Sequence, residues 1–263
     1  MIRFSFKTMK ILIIIVLTCS NICFGQVKSD SAELKKQNVE NHCDSVYKPS
    51  YKKLIIPTVF IGFGVVSLNS DALKNLNSST KYEIGEHQPK HITLDNYTQY
   101  LPAAMVYGYN LAGIKGKHNL KERTIIYGTS QLISAAFVLP LKHLVKEERP
   151  DGTNHLSFPS GHTATAFSSA HFLFREYQDE NIWIALSGYP IALFTGVYRT
   201  LNDKHWVGDV VAGAGFGILS TEIAYWIFPI VNKIFKNNES KGVTFIYPVI
   251  QSKSVGLGLV LNL

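Results

Sequence analysis

Three short blocks in the middle of the chain carry side chains whose types and spacing suit phosphoryl transfer. That reaction needs fixed cations for the equatorial oxygens, a nucleophile for phosphorus and an acid for the leaving group. The blocks are Lys142 with Arg149-Pro150, then Pro159-Ser160-Gly161-His162, then Arg199 with His205 and Asp209. Together they predict a site that handles a phosphate group.

The second block predicts the start of a helix. Ser160 is a good N-cap, Gly161 lets the backbone come close to a ligand, and an apolar helical pattern follows as far as Phe174. The exposed N–H groups and the dipole of a helix start attract an anion, and His162 projects from the first turn. A Ser-Gly-His turn by itself is more commonly a simple helix cap.

The third block pairs a histidine with a carboxylate. His205 and Asp209 are four residues apart, so on a helix they share one face, where the carboxylate can hold the imidazole in one tautomer. The other ring nitrogen is then free to attack phosphorus, with Arg199 within reach through a loop. Alone, this spacing is typical of an ordinary ion pair.

The cations of the first and third blocks decide against a metal. His162, His205 and Asp209 have the donor types of a zinc site, but the surrounding positive charges would repel a dication. We therefore expect neither a metal nor another cofactor. Arg149 can grip phosphate oxygens with two hydrogen bonds, whereas Lys142 acts as a point charge. Either cation alone could instead be snorkelling at a membrane interface, and Glu147-Glu148 indicates a solvated face.

In this order the three blocks resemble the signature of the type 2 phosphatidic acid phosphatase (PAP2) family, which also includes bacterial class A acid phosphatases and vanadium haloperoxidases. The resemblance covers about residues 97–230. It implies a helical bundle and a metal-independent phosphohistidine mechanism. His205 would be the nucleophile, Asp209 its orienting partner, and His162 the acid that later activates water. The phosphoryl oxygens would be held by Lys142, Arg149, Ser160, Gly161 and Arg199. Tyr198 stands where the family usually has Ser, which puts one phosphate hydrogen bond in doubt.

The elements that position these residues are predicted to be helices. Six apolar blocks cover residues 54–68, 97–114, 124–141, 163–174, 182–197 and 210–230. Most are shorter than the ~20 apolar residues of a typical membrane span, but as a group they favour a membrane-embedded bundle over a soluble core. We therefore predict an all-α, PAP2-like bundle of about five or six helices. The Gly213-xxx-Gly217 spacing would let two of them approach closely.

Both ends of the chain differ from this bundle. Residues 1–25 have the basic start and apolar run of a signal peptide, or of an uncleaved anchor, and a polar lead-in follows over residues 26–53. Cleavage would leave one cysteine, so no internal disulfide is expected. The phosphatase domain is assigned to residues 54–236, and the tail, residues 237–263, contains a predicted β-hairpin.

Two signals conflict on orientation. The basic connection around residues 115–123 should be cytoplasmic, which places the three blocks on the exported face. An export signal followed by spans at 54–68 and 97–114 gives the opposite result, so residues 54–68 are expected not to form a full crossing. The site is predicted to face the periplasm or exterior of a bacterial-type inner membrane.

Composition limits the function classes. Charged residues make up 17% of the chain against a usual ~25%, the net charge is +7, and no basic-aromatic surface suggests nucleic acid. The leading hypothesis is a lipid phosphatase acting on phosphatidate-type lipids, a polyprenyl pyrophosphate or lipid A phosphates. Alternatives are a soluble exported acid phosphatase, a vanadium-dependent haloperoxidase and a non-catalytic lipid-phosphate binder. No protein partner is predicted, and Asp95–Pro102 either lines the substrate pocket or marks a membrane interface.

Overall fold

A computed structural model describes residues 50–87, 93–239, 244–251 and 254–261. The all-α prediction is confirmed, because every secondary-structure element in the described residues before 240 is a helix. After a 3-10 turn, the helices are α1 Ile55–Ser67, α2 Asp71–His87, α3 Asp95–Thr98, α4 Leu101–Leu111, α5 Leu120–Val145, α6 Gly161–Tyr177, α7 Ile182–Leu186, α8 Gly188–Leu201 and α9 Val207–Glu239.

Every predicted apolar block is mainly helical, but the helices outnumber the expected five or six for two reasons. Two blocks are broken: residues 97–114 divide into α3 and α4, where Pro102 sits in the first turn of the new helix, and residues 182–197 divide at Ser187. Helix α2 is additional. The sequence of this 17-residue helix is mainly polar, with scattered apolar residues such as Leu73, Leu76 and Ile84, so no apolar run indicated it.

Helix α9 is the central element of the bundle and packs against α6, α1 and α5. Gly213 and Gly217 face α6, and a Cβ on Gly213 would lie 2.5 Å from the carbonyl oxygen of Ser160. A Cβ on Gly217 would collide with the backbone of α6 at Ala164. The two glycines therefore permit the close approach that their spacing predicted.

Helix α5 is long and well delimited. Asn119 caps its start, accepting from the N–H of Glu122 at 2.9 Å, while the Glu122 side chain accepts from the N–H of Asn119. The helix ends at Lys146, whose φ of 54° is left-handed. At 1.5 Å per residue, its 26 residues extend roughly 39 Å. Within the described residues, α5 and Val207–Phe235 of α9 are long and apolar enough to cross a membrane.

Helix α1 does not make a crossing alone. Its 13 residues extend only about 20 Å, short of the ~30 Å hydrocarbon core. Together with α2 it passes the length and composition test for a span, but the chain bends by 86° between the two. The pair has the form of either a broken span or a re-entrant loop, so the expectation that residues 54–68 are not a full crossing stays a prediction.

The C-terminal segment forms the predicted hairpin. Strand β1, Thr244–Gln251, pairs antiparallel with β2, Ser254–Leu261, in a register that aligns Thr244 with Leu261. The predicted signal peptide, nearly all of the polar lead-in and all three cysteines lie outside the described residues.

Candidate active site

Four helix ends meet at one pole of the bundle and carry the three sequence blocks. Lys142 lies in the last turn of α5, His162 in the first turn of α6, Arg199 in the last turn of α8 and Asp209 in the first turn of α9. Because successive long helices run in alternating directions, the C-terminal end of one lies beside the N-terminal end of the next. The predicted site residues are thereby brought together.

Ser160 caps α6 as predicted and also joins the second block to the third. Its Oγ accepts from the N–H of Thr163 at 3.4 Å and lies 2.9 Å from the hydroxyl of the same residue. Its backbone N–H donates to the carbonyl oxygen of Asp209 at 3.0 Å. The first turn of α6, including Gly161, is therefore fixed against the start of α9.

The first block is tied to both of the others. The Lys142 ammonium donates to the carbonyl oxygens of Leu156 and Ser157 at 2.8 and 3.3 Å, and its Cε would be 4.0 Å from a Cβ on Gly161. An ion pair of 2.6 Å between Lys204 and Asp151 joins the residue after Arg149-Pro150 to the residue before His205.

A further bond closes the loop around Arg149 onto the third block. The indole N–H of Trp206 donates to the carbonyl oxygen of Glu148 at 2.8 Å. Arg149 lies in this loop, and its charge acts on Lys142, His162 and Arg199. The charges of Lys142, Arg149 and Arg199 therefore all act on His162.

Arg199 has a partner that the sequence did not reveal. Its Nη1 donates to Oδ2 of Asp95 at 2.8 Å, and the Asp95 residue is only 1% exposed. A single carboxylate before an apolar block gives no sequence signal for such a role. Helix α3, in the segment Asp95–Pro102, therefore borders the site, while Tyr97 and Tyr100 of the same segment are exposed.

The neighbouring residue contacts the second histidine. Oδ1 of Asn96 lies 2.8 Å from Nε2 of His162. Burial and the positive charge of Arg199 lower the pKa of His162 to about 4, against the opposing effect of Asp95. Without a bound anion, His162 is therefore neutral at pH 7.

The His205–Asp209 pair is buried and looser than a hydrogen bond. Nδ1 of His205 lies 3.6 Å from Oδ2 of Asp209. The same oxygen accepts from the Ser157 hydroxyl at 2.5 Å and from the backbone N–H of Trp206 at 2.9 Å. Burial lowers the pKa of His205 to about 4, although Asp209 acts in the opposite direction. His205 is therefore a neutral imidazole at pH 7.

Glu147 was interpreted as part of a solvated face, and that interpretation was wrong. Its side chain is half-buried and interacts with Asp209. Burial and the charge of Asp209 raise the pKa of the Glu147 carboxyl from 4.5 to about 9, so it is protonated at neutral pH. The neighbouring Glu148 is exposed as expected. Adjacent acidic residues gave no sign that only one of them turns inward.

The site contains buried polar atoms without partners. Among the described residues, buried side-chain atoms that make no hydrogen bond include Nε of Arg149, Nε of Arg199, Nδ1 of His205, Oδ1 of Asp209 and Oε2 of Glu147. Buried donors are normally satisfied, so a group of unsatisfied guanidinium nitrogens at one pole suits an anionic ligand. No group of three or more His, Cys, Asp or Glu side chains in the described part of the chain is arranged to hold a metal.

Two further features shape the surroundings. The ring of Tyr198 packs on Phe194, one turn earlier in α8, with centroids 4.4 Å apart. Helix α2 forms one wall of a cleft of about 580 Å³ beside the third block, lined by Ser78, Lys81, Tyr82, Gly85, Glu86 and Trp206. Tyr198 thus packs within its helix, and α2, absent from the sequence-based prediction, borders the His205 loop.

Comparison with known proteins finds similarity in the same region of the chain. Residues 123–233 match the family described as the PAP2 superfamily. The lipid A 1-phosphatase of Porphyromonas gingivalis is 35% identical over 142 residues, which cover 54% of this chain and 32% of that protein. The bacitracin transport permease protein BcrC of Bacillus licheniformis is 34% identical over 74 residues, covering 28% of this chain and 34% of that protein. The chain therefore spans about a third of the length of these curated relatives.

Two solved structures are also similar. The crystal structure of Aquifex aeolicus LpxE aligns with a TM-score of 0.43 at 25% identity, covering 57% of this chain and 94% of that one. The first transmembrane PAP2-type phosphatidylglycerolphosphate phosphatase from Bacillus subtilis aligns with a TM-score of 0.45 at 19% identity, covering 72% and 98%.

Proposed function

We propose that the chain is a membrane-embedded phosphatase of the PAP2 superfamily, whose model matches residues 123–233. It hydrolyses phosphomonoester or pyrophosphate groups of lipids through a phosphohistidine formed on His205. The observation that carries this proposal is the meeting of two neutral histidines with Lys142, Arg149 and Arg199 at one pole of the bundle, where both guanidinium groups keep a buried, unpartnered Nε.

In the first step the neutral imidazole of His205 attacks phosphorus. A P–N bond forms and the bond from phosphorus to the leaving oxygen breaks, while the three cations hold the equatorial oxygens. The low pKa of His205, a result of its burial, keeps its lone pair available. Asp209 stabilises the positive charge that develops on the ring as the bond forms.

His162 gives its proton to the leaving oxygen in this step. Its pKa is about 4 when the surrounding cations are uncompensated. A phosphate dianion neutralises part of that positive charge, which raises the pKa and favours the imidazolium form that an acid catalyst needs. The proton can therefore be taken up together with the substrate or arrive on a phosphate monoanion.

In the second step the neutral His162 removes a proton from water. The oxygen of that water attacks phosphorus, the P–N bond breaks, and inorganic phosphate is released. His205 returns to its neutral form and His162 is again protonated, so the cycle closes without another reactant.

A lipid substrate is supported by the helices that carry the site. Two of them are long and apolar enough to cross a membrane. The similarity over 142 residues to a protein named lipid A 1-phosphatase points the same way. Phosphatidate-type lipids, polyprenyl pyrophosphates and lipid A phosphates all present a phosphate at a membrane surface, and all belong to the proposed class.

The site faces the periplasm or exterior in this proposal. Lys115, Lys117 and Lys121 lie at or before the start of α5, whereas Lys142 is at its other end, roughly 30 Å away along the helix axis. Short basic connections are retained in the cytoplasm, so the opposite pole is exported. Accessibility of single cysteines at positions 117 and 155 to an impermeant thiol reagent tests this orientation, since only position 155 should react in intact cells.

Phosphate release from a panel of purified lipid phosphates tests the activity. The wild-type protein should release inorganic phosphate from at least one lipid class, and His205→Ala should abolish the release. His155→Ala is the matched control, because that histidine is exposed and forms no part of the cluster. Undiminished turnover by His205→Ala would overturn the mechanism. Carbonate extraction should leave the protein in the membrane, whereas release into the wash would support the soluble alternative.

A further inference from the structure

We propose that Asn96 is a positioning residue for His162, and that it assigns proton transfer to one nitrogen of that ring. The side-chain oxygen of Asn96 accepts a hydrogen bond from Nε2–H, so Nδ1 is the atom that exchanges the proton with the leaving group and then with water. This inference rests on the proposed phosphatase function and deepens it.

The contact itself has a defined direction. Oδ1 of Asn96 lies 2.8 Å from Nε2 of His162, and an amide oxygen has no proton to give. Nε2 must therefore carry the proton in this bond. Among the described residues no second hydrogen bond to the His162 ring is present, so Nδ1 is available to a ligand.

That tautomer determines which ring nitrogen gives up and takes back the proton. In the imidazolium form both nitrogens are protonated, and loss of the Nδ1 proton to the leaving oxygen produces the neutral tautomer that Asn96 already holds. The O–H bond of the leaving alcohol forms as its bond to phosphorus breaks. In the second step Nδ1 takes a proton from water, and the Nε2–H bond to Asn96 is unchanged throughout.

Helix α3 is anchored well enough to hold this geometry. On one side of Asn96, Asp95 pairs with Arg199 at 2.8 Å. On the other, the hydroxyl of Thr98 lies 2.8 Å from that of Thr195 in α8. The side chain of Gln99 donates to the backbone oxygen of Asn96 at 2.8 Å. The amide is thus presented to His162 from a fixed backbone although the residue itself is exposed.

A neutral acceptor also suits the acid role. A carboxylate in place of the amide would stabilise the imidazolium and raise the pKa of His162, making it a weaker acid. The amide fixes the ring and its tautomer with little effect of this kind. This difference gives the experiment a readout that loss of packing alone would not produce.

The test compares two forms of one substrate in the full-length protein. One is the lipid phosphate that is turned over best, and the other carries sulfur in place of the bridging oxygen, so that the leaving thiolate needs no proton. Asn96→Ala should lower kcat for the oxygen substrate by ~10- to 100-fold, part of the value of a general acid, with little change in KM. The sulfur substrate should lose far less. Equal losses on both substrates, or none on either, would overturn the inference.

Thr98→Val is the control for the integrity of α3. It removes one anchoring hydroxyl of the same short helix, which does not contact His162, while the bond between Asp95 and Arg199 still holds the helix in place. It should leave the ratio of the two rates unchanged. A fall in that ratio as large as that of Asn96→Ala would assign the effect to α3 as a whole and overturn the specific role.

Asn96→Asp supplies a second, independent readout. The variant keeps an acceptor oxygen and adds a negative charge, so the pKa of His162 should rise. The loss of kcat at high pH, which reports groups of the enzyme–substrate complex, should therefore move upward. An unchanged pH profile would contradict the contact. Absence of phosphate release by the wild-type protein would instead refute the proposed function, so the two failures are distinguishable.

Discussion

Oδ2 of Asp95 receives a hydrogen bond from Nη1 of Arg199 at 2.8 Å, although the two residues are 104 positions apart in the sequence. The carboxylate compensates the charge of a buried guanidinium and fixes its plane, while Nε of Arg199 remains without a partner. Asp95 therefore holds one edge of the guanidinium and leaves another available to a phosphate.

Replacement of Asp95 should lower the rate of phosphate release because Asp95 orients Arg199. In Asp95→Ala the Arg199 side chain loses its fixed orientation, and a misplaced binding group typically costs up to ~100-fold in rate. We expect kcat/KM for phosphate release to fall by about 10- to 100-fold and Asp95→Asn, which keeps an acceptor, to lose less. Asp179→Asn is the control, since that carboxylate is exposed and pairs with Lys117. Equal effects of Asp95→Ala and Asp179→Asn would contradict this role.

The pH profile of kcat/KM should have an unusually low acidic limb. His205 must be neutral to attack phosphorus, and its burial lowers its pKa from 6.5 to about 4. Activity should therefore persist at pH 5 and disappear as the pH falls through about 4. Above the second pKa of the phosphate monoester, about 6, activity should decline because the required proton is no longer supplied. Half-loss of activity already near pH 6.5 on the acidic side would show an ordinary, solvated histidine.

Glu147 should make the folded protein less stable as the pH rises. Its pKa is raised from 4.5 to about 9 by burial and by Asp209, so between these values the folded state binds more protons than the unfolded state. The free energy of unfolding then decreases with increasing pH over that window. Glu147→Gln should flatten the dependence of Tm on pH in detergent, measured between pH 5 and pH 8.

The adjacent residue provides the control for that measurement. Glu148 has an exposed side chain, so Glu148→Gln should reproduce the wild-type slope. A slope that is unchanged in Glu147→Gln would mean that the carboxyl at position 147 is ionised in the folded protein.

Gly213→Ala should damage the site through packing. The added Cβ would lie 2.5 Å from the carbonyl oxygen of Ser160, so α9 and the capped start of α6 must separate. Overpacking of this kind typically costs about 1–3 kcal/mol of unfolding free energy, and phosphate release should fall because His162 moves with α6. Gly128→Ala in α5, where a Cβ meets nothing within 4 Å, should be neutral or slightly stabilising. If the two variants behaved alike, the close approach of α6 and α9 would not be required.

The parts of the fold and site that were predictable depend on local patterns. The cap at Ser160 is encoded within one helical turn, and its bond to the N–H of Thr163 is present. The spacing of His205 and Asp209 predicted one shared helix face, but α9 begins only at Val207, so His205 lies in the preceding loop with Nδ1 3.6 Å from Oδ2 of Asp209. The spacing of Gly213 and Gly217 likewise predicted a close contact between helices, which is present. A turn of helix carries enough periodic information for such features to be read directly.

The parts that were missed depend on contacts between distant segments. Asn96 meets His162 across 66 positions, and Glu147, in the loop after α5, interacts with Asp209 in the first turn of α9. Helix α2 was missed for a different reason, because its polar sequence gives no apolar period and it is recognisable only where it packs beside Trp206. Tertiary placement, which no short window contains, decides all three.

The central claim is that phosphate passes through a covalent bond to His205. His162→Ala should be mixed with a lipid phosphate that carries sulfur at the bridging position, quenched in alkali, and digested for mass spectrometry. Attack then proceeds without an acid, while hydrolysis lacks its base, so the phosphoenzyme accumulates. The account predicts phosphate on His205 in this variant and none when His205→Ala is added. Phosphate on another residue, or a double variant that still forms the adduct, would contradict it.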